Sequence, residues 1–199
     1  MGTPERETAG IDAEFHQAGV PVTAANEPMR ATPSRFRFHP FTNDIPQQRI
    51  SAVLLVPFLP DGKIVVVQHV NRGLDIPGGH REIGDRSDYE TARREFKEET
   101  GLDVGQMIPF LLMESDDYRD EDGPKYMVVM AGIILNIDKP FPVSNEVTAR
   151  HFLSPETFLE VYSGNIQDMR YILSEAEKIE GIHNGNTPKD PDLGLASNL

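Results

Sequence analysis

The sequence predicts an α/β fold in which a mixed sheet is covered by helices on both faces. Three observations carry this. The apolar runs at residues 50–59 and 125–136 are continuous rather than alternating, the pattern of strands buried on both faces. Residues 88–100, 155–162 and 166–179 repeat their apolar side chains at helical spacing. The two kinds of segment interleave along the chain, which implies helices layered on a sheet.

The elements follow in order. Residues 50–59, rich in Val and Leu, form a strand. Pro60-Asp61-Gly62 makes a turn, and residues 63–70 answer as the second strand of a hairpin. Leu74-Asp75-Ile76-Pro77 is a short extended piece, ended by Gly78-Gly79. A helix spans residues 88–100. Ser87 and Glu90 form the Ser-x-x-Glu box of its start. Gly101 ends it in the left-handed conformation, with Leu102 packing back on the last turn. Residues 103–113 give a strand, 114–124 an acidic loop, 125–136 an apolar strand and 148–153 a last short strand. Two helices close the domain, the first through Phe158, Leu159 and Tyr162, the second through Met169, Ile172, Leu173 and Ala176.

The 199 residues suffice for one domain with a core. Residues 35–180 are read as that domain. Residues 1–34 are polar and acidic and read as a flexible arm, or one that docks on a partner subunit, so a homodimer is compatible. Residues 181–199, with Gly181, Gly185, Gly194, Pro188 and Pro191, read as a disordered tail. There is no Cys, which excludes disulfides, thiolate metal sites and a thiol nucleophile. The net charge is −13, from 19 basic and 32 acidic residues. Such a surface repels a phosphate backbone, so no duplex nucleic-acid partner is expected. A small phosphorylated substrate is admissible if a bound cation reverses the local sign. No run approaches the about 20 apolar residues that cross a bilayer, and residues 1–10 carry no apolar signal. Arg6 stands where a myristoylation motif wants Ser or Thr. The expectation is a cytoplasmic protein without a membrane partner.

The helix at 88–100 carries the chemistry. Tyr89, Ala92 and Phe96 share its core face. Glu95, Glu98 and Glu99 fall on a separate stripe at i,i+3 and i,i+4 spacings, where like charges weaken a helix by about 0.2–0.5 kcal/mol per pair. A hard divalent cation held by carboxylate oxygens would compensate. Taken alone, the stripe also reads as a solvated charged face, in keeping with Arg93, Arg94 and Lys97. The preceding Pro77-Gly78-Gly79 tips the balance, because glycine lets the backbone approach a ligand closely.

The segment Gly79-His-Arg-Glu-Ile-Gly-Asp85, eight residues, then Arg94-Glu95-Phe96-Lys97-Glu98-Glu99-Thr100-Gly101-Leu102 resembles the Nudix box: Gly, five residues, Glu, seven residues, Arg-Glu-apolar-x-Glu-Glu-x-Gly-apolar. The second half matches at every fixed position. The first half departs twice: Asp85 replaces Glu, and one extra residue precedes Arg94. The extra residue is expected in the loop 84–87, leaving the glutamate register intact. The resemblance implies a Nudix-type α/β/α sandwich and a MutT-like pyrophosphohydrolase. It implies Mg²⁺ or Mn²⁺ held by Glu95, Glu98 and Glu99 with the Gly78 or Gly79 carbonyl, and Arg94 orienting the glutamates by ion pairs. It implies hydrolysis of a diphosphate bond in a nucleoside diphosphate linked to another moiety. The alternative is a catalytically silent Nudix-fold module that binds a nucleotide and regulates a partner.

Other residues are candidates around this centre. Glu98, or Glu146 before the last strand, could serve as general base. Asp85 is expected at the rim as an outer or indirect metal ligand, with Glu82 partly substituting. Arg72 and Arg81 flank the double glycine and are the preferred phosphate contacts; Arg49, Lys125 and His80 are others. His69 reads as packing or pairing at its strand end. Six acids in 114–122 (Glu114, Asp116, Asp117, Asp120, Glu121, Asp122) read as a solvated loop or a lid. Without Trp, a base would stack on Phe58, Phe110, Tyr118 or Tyr126.

Overall fold

A computed structural model of the chain describes residues 34–120, 123–142 and 144–179, and residues 116–119 by their backbone alone. The expected arm and tail fall outside these residues, apart from Ser34. So do the side chains of Asp116, Asp117, Tyr118, Glu121 and Asp122.

The strands are β1 (Phe36–Pro40), β2 (Ile50–Phe58), β3 (Ile64–His69), β4 (Gly73–Asp75), β5 (Gly78–His80), β6 (Met107–Asp120), β7 (Gly123–Ile133) and β8 (Val147–Leu153). The helices are α1 (Asp88–Thr100), α2 (Pro155–Val161) and α3 (Ile166–Ala176). The sheet runs β1-β6-β7-β2-β3-β4, with β5 on β2 and β8 on β3. It is mixed, because β2 lies parallel to β7 while the other pairs are antiparallel.

Alternation along the central strands builds two cores. Val53 and Leu55 of β2, Val65 of β3, and Val128 and Met130 of β7 pack with Ala92, Phe96 and Leu102 of the α1 segment. Their neighbours Val56, Val66, Val129 and Ala131 pack on the other face with Phe158 of α2 and Met169, Ile172 and Leu173 of α3. Strand residues point alternately to opposite faces, so a continuous apolar run feeds both layers.

The hairpin expected at 50–70 forms only at its tip: β2 and β3 pair at Phe58 and Ile64 alone. Beyond that the two strands splay. Residues 73–80 wedge between them, β4 pairing with β3 and β5 with β2. Gly78-Gly79 is therefore a strand on β2 rather than a turn. The expected acidic loop is instead mostly ladder. Glu114 pairs with Tyr126, Ser115 with Lys125 and Asp120 with Gly123, around an irregularity between Ser115 and Arg119. Arg49 at 2.6 Å and Lys125 at 2.7 Å neutralise Asp120, so its charge does not prevent pairing. The strand β1 was not expected, although Phe36 and Phe38 alternating with Arg35, Arg37 and His39 give the period-two signal.

The limits of α1 agree with the expectation. Ser87 Oγ accepts the Glu90 N–H at 3.3 Å. The Glu90 carboxylate reaches one residue further back than the usual box and accepts the Arg86 N–H at 2.8 Å. Gly101 takes φ 73° and donates its N–H to Lys97 O. A side chain there would also collide with the Pro140 carbonyl, so two independent constraints demand glycine.

Phe96 is fully buried between α1 and the sheet. Phe96→Ala is expected to destabilise the fold by about 3–5 kcal/mol, read as a lower urea midpoint at unchanged slope.

Candidate active site

Strand β5 and helix α1 approach with no side chain between them. A Cβ on Gly79 would overlap the Glu95 carboxyl group. Gly78 donates its N–H to Glu99 Oε2 at 3.0 Å, and a Cβ on Gly78 would overlap Val53 O. The register pairs Gly79 with Val53, flanked by Leu55 N–H to Pro77 O and Arg81 N–H to Ser51 O. The alternation of an antiparallel ladder then turns the Gly79 backbone groups toward β2. Those of Gly78 and His80 face α1, where the His80 carbonyl accepts Arg94 Nη2 at 2.9 Å. Gly79 is thus required for the side chain it lacks, and its carbonyl is spent in the ladder rather than offered to a metal.

Arg94 organises the acids. Its Nη1 lies 3.0 Å from Glu95, 3.4 Å from Glu98 and 3.5 Å from Glu82. Its Nη2 and Nε bond Asp85 at 2.8 and 3.2 Å. The Asp85 side chain is only 8% exposed. It also accepts the Glu82 N–H and the Thr91 hydroxyl, at 2.9 and 3.0 Å. The Arg94 bond, with these donors, holds its carboxyl well below the usual carboxylate range.

Glu99 sits deeper. Burial pushes its carboxyl up to about 7, against the Gly78 N–H, and nearby Glu95 adds to the rise. Burial also raises Glu95, opposed by Arg94. Behind Glu99 lies buried His69, with Nε2 3.4 Å from Glu99 Oε1. Arg72 Nη2 lies 3.3 Å from Nδ1 of the same ring, which can accept from it. Burial, and then Arg72, hold His69 below its ordinary value.

Glu95, Glu99 and Arg72 edge a cleft of about 510 Å³. Glu82, Glu95, Glu99 and Glu146 supply an acidic wall beside Gly78 and Gly79. Phe36, Leu54, Met113, Met127, Met169 and Ile172 supply an apolar one. Arg72, Asp75, Tyr162, Asn165 and Asp168 complete the lining together with Ser51, Ala52 and His80.

The model of the NUDIX domain matches residues 48–174. The chain belongs to the NUDIX family. A mutant of the Bacillus subtilis pyrophosphohydrolase BsRppH aligns at 19% identity and TM-score 0.53, over 73% of this chain and 94% of that one. The NUDIX domain of Shewanella oneidensis NrtR, solved with ADP ribose, aligns at 16% and 0.53, over 67% and 92%. A Listeria monocytogenes protein described as a Nudix hydrolase aligns at 18% and 0.51, over 63% and 90%. At these identities the likeness shows the fold, the Nudix α/β/α sandwich. No curated protein matches the sequence. Among the described residues no helix is long and apolar enough to cross a membrane.

The Nudix box brings Arg94, Glu95 and Glu99 together and leaves Glu98 at its edge. Glu98 is 59% exposed and does not line the cleft, whereas Glu95 and Glu99 do. Asp85 does not line the cleft. Its shorter side chain is turned inward as the anchor of Arg94, and the extra residue lies ahead of Ser87, since α1 begins at Asp88. Arg81 does not reach the cleft either. It shares the face of Gly79 two residues on, so it meets the first turn of α1. There its Nη2 donates to Asp85 O at 3.0 Å and its Nη1 lies 3.6 Å from Asp88. Arg49 and Lys125 are engaged with Asp120. Phe58, Phe110 and Tyr126 do not line the cleft, while Phe36 and Tyr162 do. The sequence reading missed Asp75, Asn165 and Asp168, which look like ordinary strand and helix-start residues.

Among the described residues no three acidic or histidine side chains already form a closed metal cage. The donors nonetheless suit a hard cation. Glu95 and Glu99 present carboxylates whose charge burial disfavours, and Arg94 is divided among four acids. All donors are oxygen, as Mg²⁺ and Mn²⁺ prefer.

Two pH effects follow. The depressed Asp85 carboxyl stabilises the fold above its unfolded value near 3.9 and loses that contribution as pH falls toward its folded value. Asp85→Asn is expected to be less stable than wild type at pH 7, the gap beginning to narrow only below about pH 4 in urea titrations. Glu99 is the reverse. Raised from 4.5 to about 7, it destabilises the metal-free fold by up to about 3 kcal/mol above pH 7 and by nothing below 4.5. Without divalent cations, Glu99→Gln should melt higher than wild type at pH 8 and alike at pH 4.

Proposed function

We propose that this protein hydrolyses a diphosphate bond in a nucleoside diphosphate linked to another moiety, with Mg²⁺ or Mn²⁺ as cofactor. The observation that carries the reading is the pair Glu95 and Glu99, seated on Gly78-Gly79 in a cleft whose other wall is apolar. An acidic wall cannot receive a diphosphate unless a cation intervenes, and an apolar wall of aromatic and thioether side chains suits a flat base.

Glu95 and Glu99, with Glu98 at the edge, would hold the cation. The cation supplies charge neutralisation at the diphosphate and Lewis acidity toward the attacking water. The chain's own residues do the rest. Gly78 N–H fixes one oxygen of Glu99. Arg94, anchored by Asp85, fixes Glu95 and draws in Glu98 and Glu82. Arg72 presents a guanidinium to the phosphates. Glu146, exposed before β8 and lining the cleft, is favoured over Glu98 as the base that takes the proton from water.

A silent nucleotide-binding module is the second reading, supported by the likeness to a NUDIX domain solved with ADP ribose. The retained acids favour the enzyme. The deciding experiment is chromatographic detection of nucleoside monophosphate formed from nucleoside triphosphates, nucleotide sugars and ADP-ribose, with and without Mg²⁺. Turnover of at least one substrate that disappears with chelator is expected. Binding of ADP-ribose without turnover of anything in the panel would select the silent module.

Glu95→Gln and Glu99→Gln are each expected to lower kcat by more than about 100-fold, the upper range for residues that merely orient a metal ligand. Glu98→Gln should lower it less. Glu146→Gln should lower kcat by about 10²–10⁴-fold with little change in KM. Steady-state kinetics at matched Mg²⁺ checks the order.

A further inference from the structure

Six carboxylates line the cleft: Asp75, Glu82, Glu95, Glu99, Glu146 and Asp168. Against them, Arg72 is the one lysine or arginine in the lining among the described residues. A bound diphosphate therefore has two positive partners to satisfy at once, Arg72 and a cation at Glu99, and the distance between them has to be set.

One side chain touches both. Arg72 Nη2 lies 2.9 Å from Nε2 and 3.3 Å from Nδ1 of His69. With Nδ1 as the acceptor from Arg72, Nε2–H is left to donate toward Glu99 Oε1, 3.4 Å away. His69 is 5% exposed and does not line the cleft, so a substrate would not reach it. Its backbone is clamped on both edges, by Gly73 of β4 and Val147 of β8. Two further bonds hold the pair: Ser163 Oγ donates to the Arg72 backbone carbonyl at 2.9 Å, and Gly78 N–H donates to the Glu99 carboxylate. Arg72 is exposed and belongs to the turn after β3. A long arginine on a turn samples many rotamers, and a fixed imidazole acceptor narrows them.

We infer that His69 is a positioning residue, a buried spacer that holds the Arg72 guanidinium and the Glu99 carboxylate at one separation so that a single diphosphate engages both. The role rests on the reading of this cleft as a diphosphate site. It predicts that a residue contacting neither phosphate nor metal sets the affinity for both.

The test uses inorganic pyrophosphate and Mn²⁺ as probes, with binding to the full chain measured by calorimetry alongside melting temperature. His69→Phe keeps the volume and removes both nitrogens. It should weaken pyrophosphate binding in the presence of Mn²⁺ by about 10-fold or more, in the range of partners that orient a ligand without contacting substrate. It should weaken Mn²⁺ alone by a smaller factor. Adding Arg72→Ala to His69→Phe should cost little more, because the two residues act as a unit. Binding within twofold of wild type, or penalties of His69→Phe and Arg72→Ala that add in full, would overturn the role. If His69→Phe does not fold, His69→Leu carries the same thresholds. A wild type that binds pyrophosphate with Mn²⁺ but turns over no nucleotide defeats the proposed hydrolysis and leaves the spacer testable. A wild type that binds neither probe defeats the spacer.

Discussion

The close approach of α1 to β5 is the constraint on which the site depends. Gly79 leaves room for the Glu95 carboxylate, and Gly78 turns an N–H toward Glu99. Everything else serves to bring the helix to that spot in that rotation. Ser87 and Gly101 fix where α1 begins and ends. Phe96, about 100° around the helix from Glu95, is locked in the core. A slip of one residue would carry the glutamates some 100° around the axis and away from the glycines.

The arrangement is electrostatically expensive. Glu95 and Glu99 are partly removed from water beside one another, and both carboxyls resist ionisation. Arg94 offsets part of the cost but is itself divided. Its strongest partner is Asp85, outside the cleft, and that pairing keeps the guanidinium from collapsing fully onto the acids of the stripe. The box departs from the family pattern at Asp85, yet a carboxylate there still does the anchoring.

What could be read in the sequence was what local chemistry decides. The limits of α1 follow from Ser87, Glu90 and Gly101, each acting within a turn of the helix, and the acidic stripe follows from helical spacing. The continuous apolar runs of β2 and β7 announced the two-sided burial. What could not be read depends on distant partners. Residues 73–80 pair first with β3 and then with β2, a choice invisible in their composition. Arg81 was credited with facing the cleft because it neighbours the glycines in sequence, but strand alternation sends it to the start of α1. Glu98 looked central on a helical projection, yet only the fold shows which edge of the stripe faces the cleft. The 114–124 segment read as a loop from its charge, and Arg49, far away in sequence, helps make it strand.

The splayed pair β2 and β3 has a consequence for how the chain reaches this state. β2 sits in the middle of the sheet, but its neighbour in sequence gives it a single paired position. Its long partner, β7, arrives about 75 residues later. Closing so large a loop is slow, and such a topology folds at the sluggish end of the range for its size. During synthesis the apolar β2 waits for β7 while the ribosome adds the whole of α1 and β6. A chain with an exposed Val- and Leu-rich strand and a late partner is at risk of pairing with its neighbours. The excess of acids, already 22 against 13 Lys and Arg over residues 1–122, favours keeping unfinished chains apart in that interval by mutual repulsion.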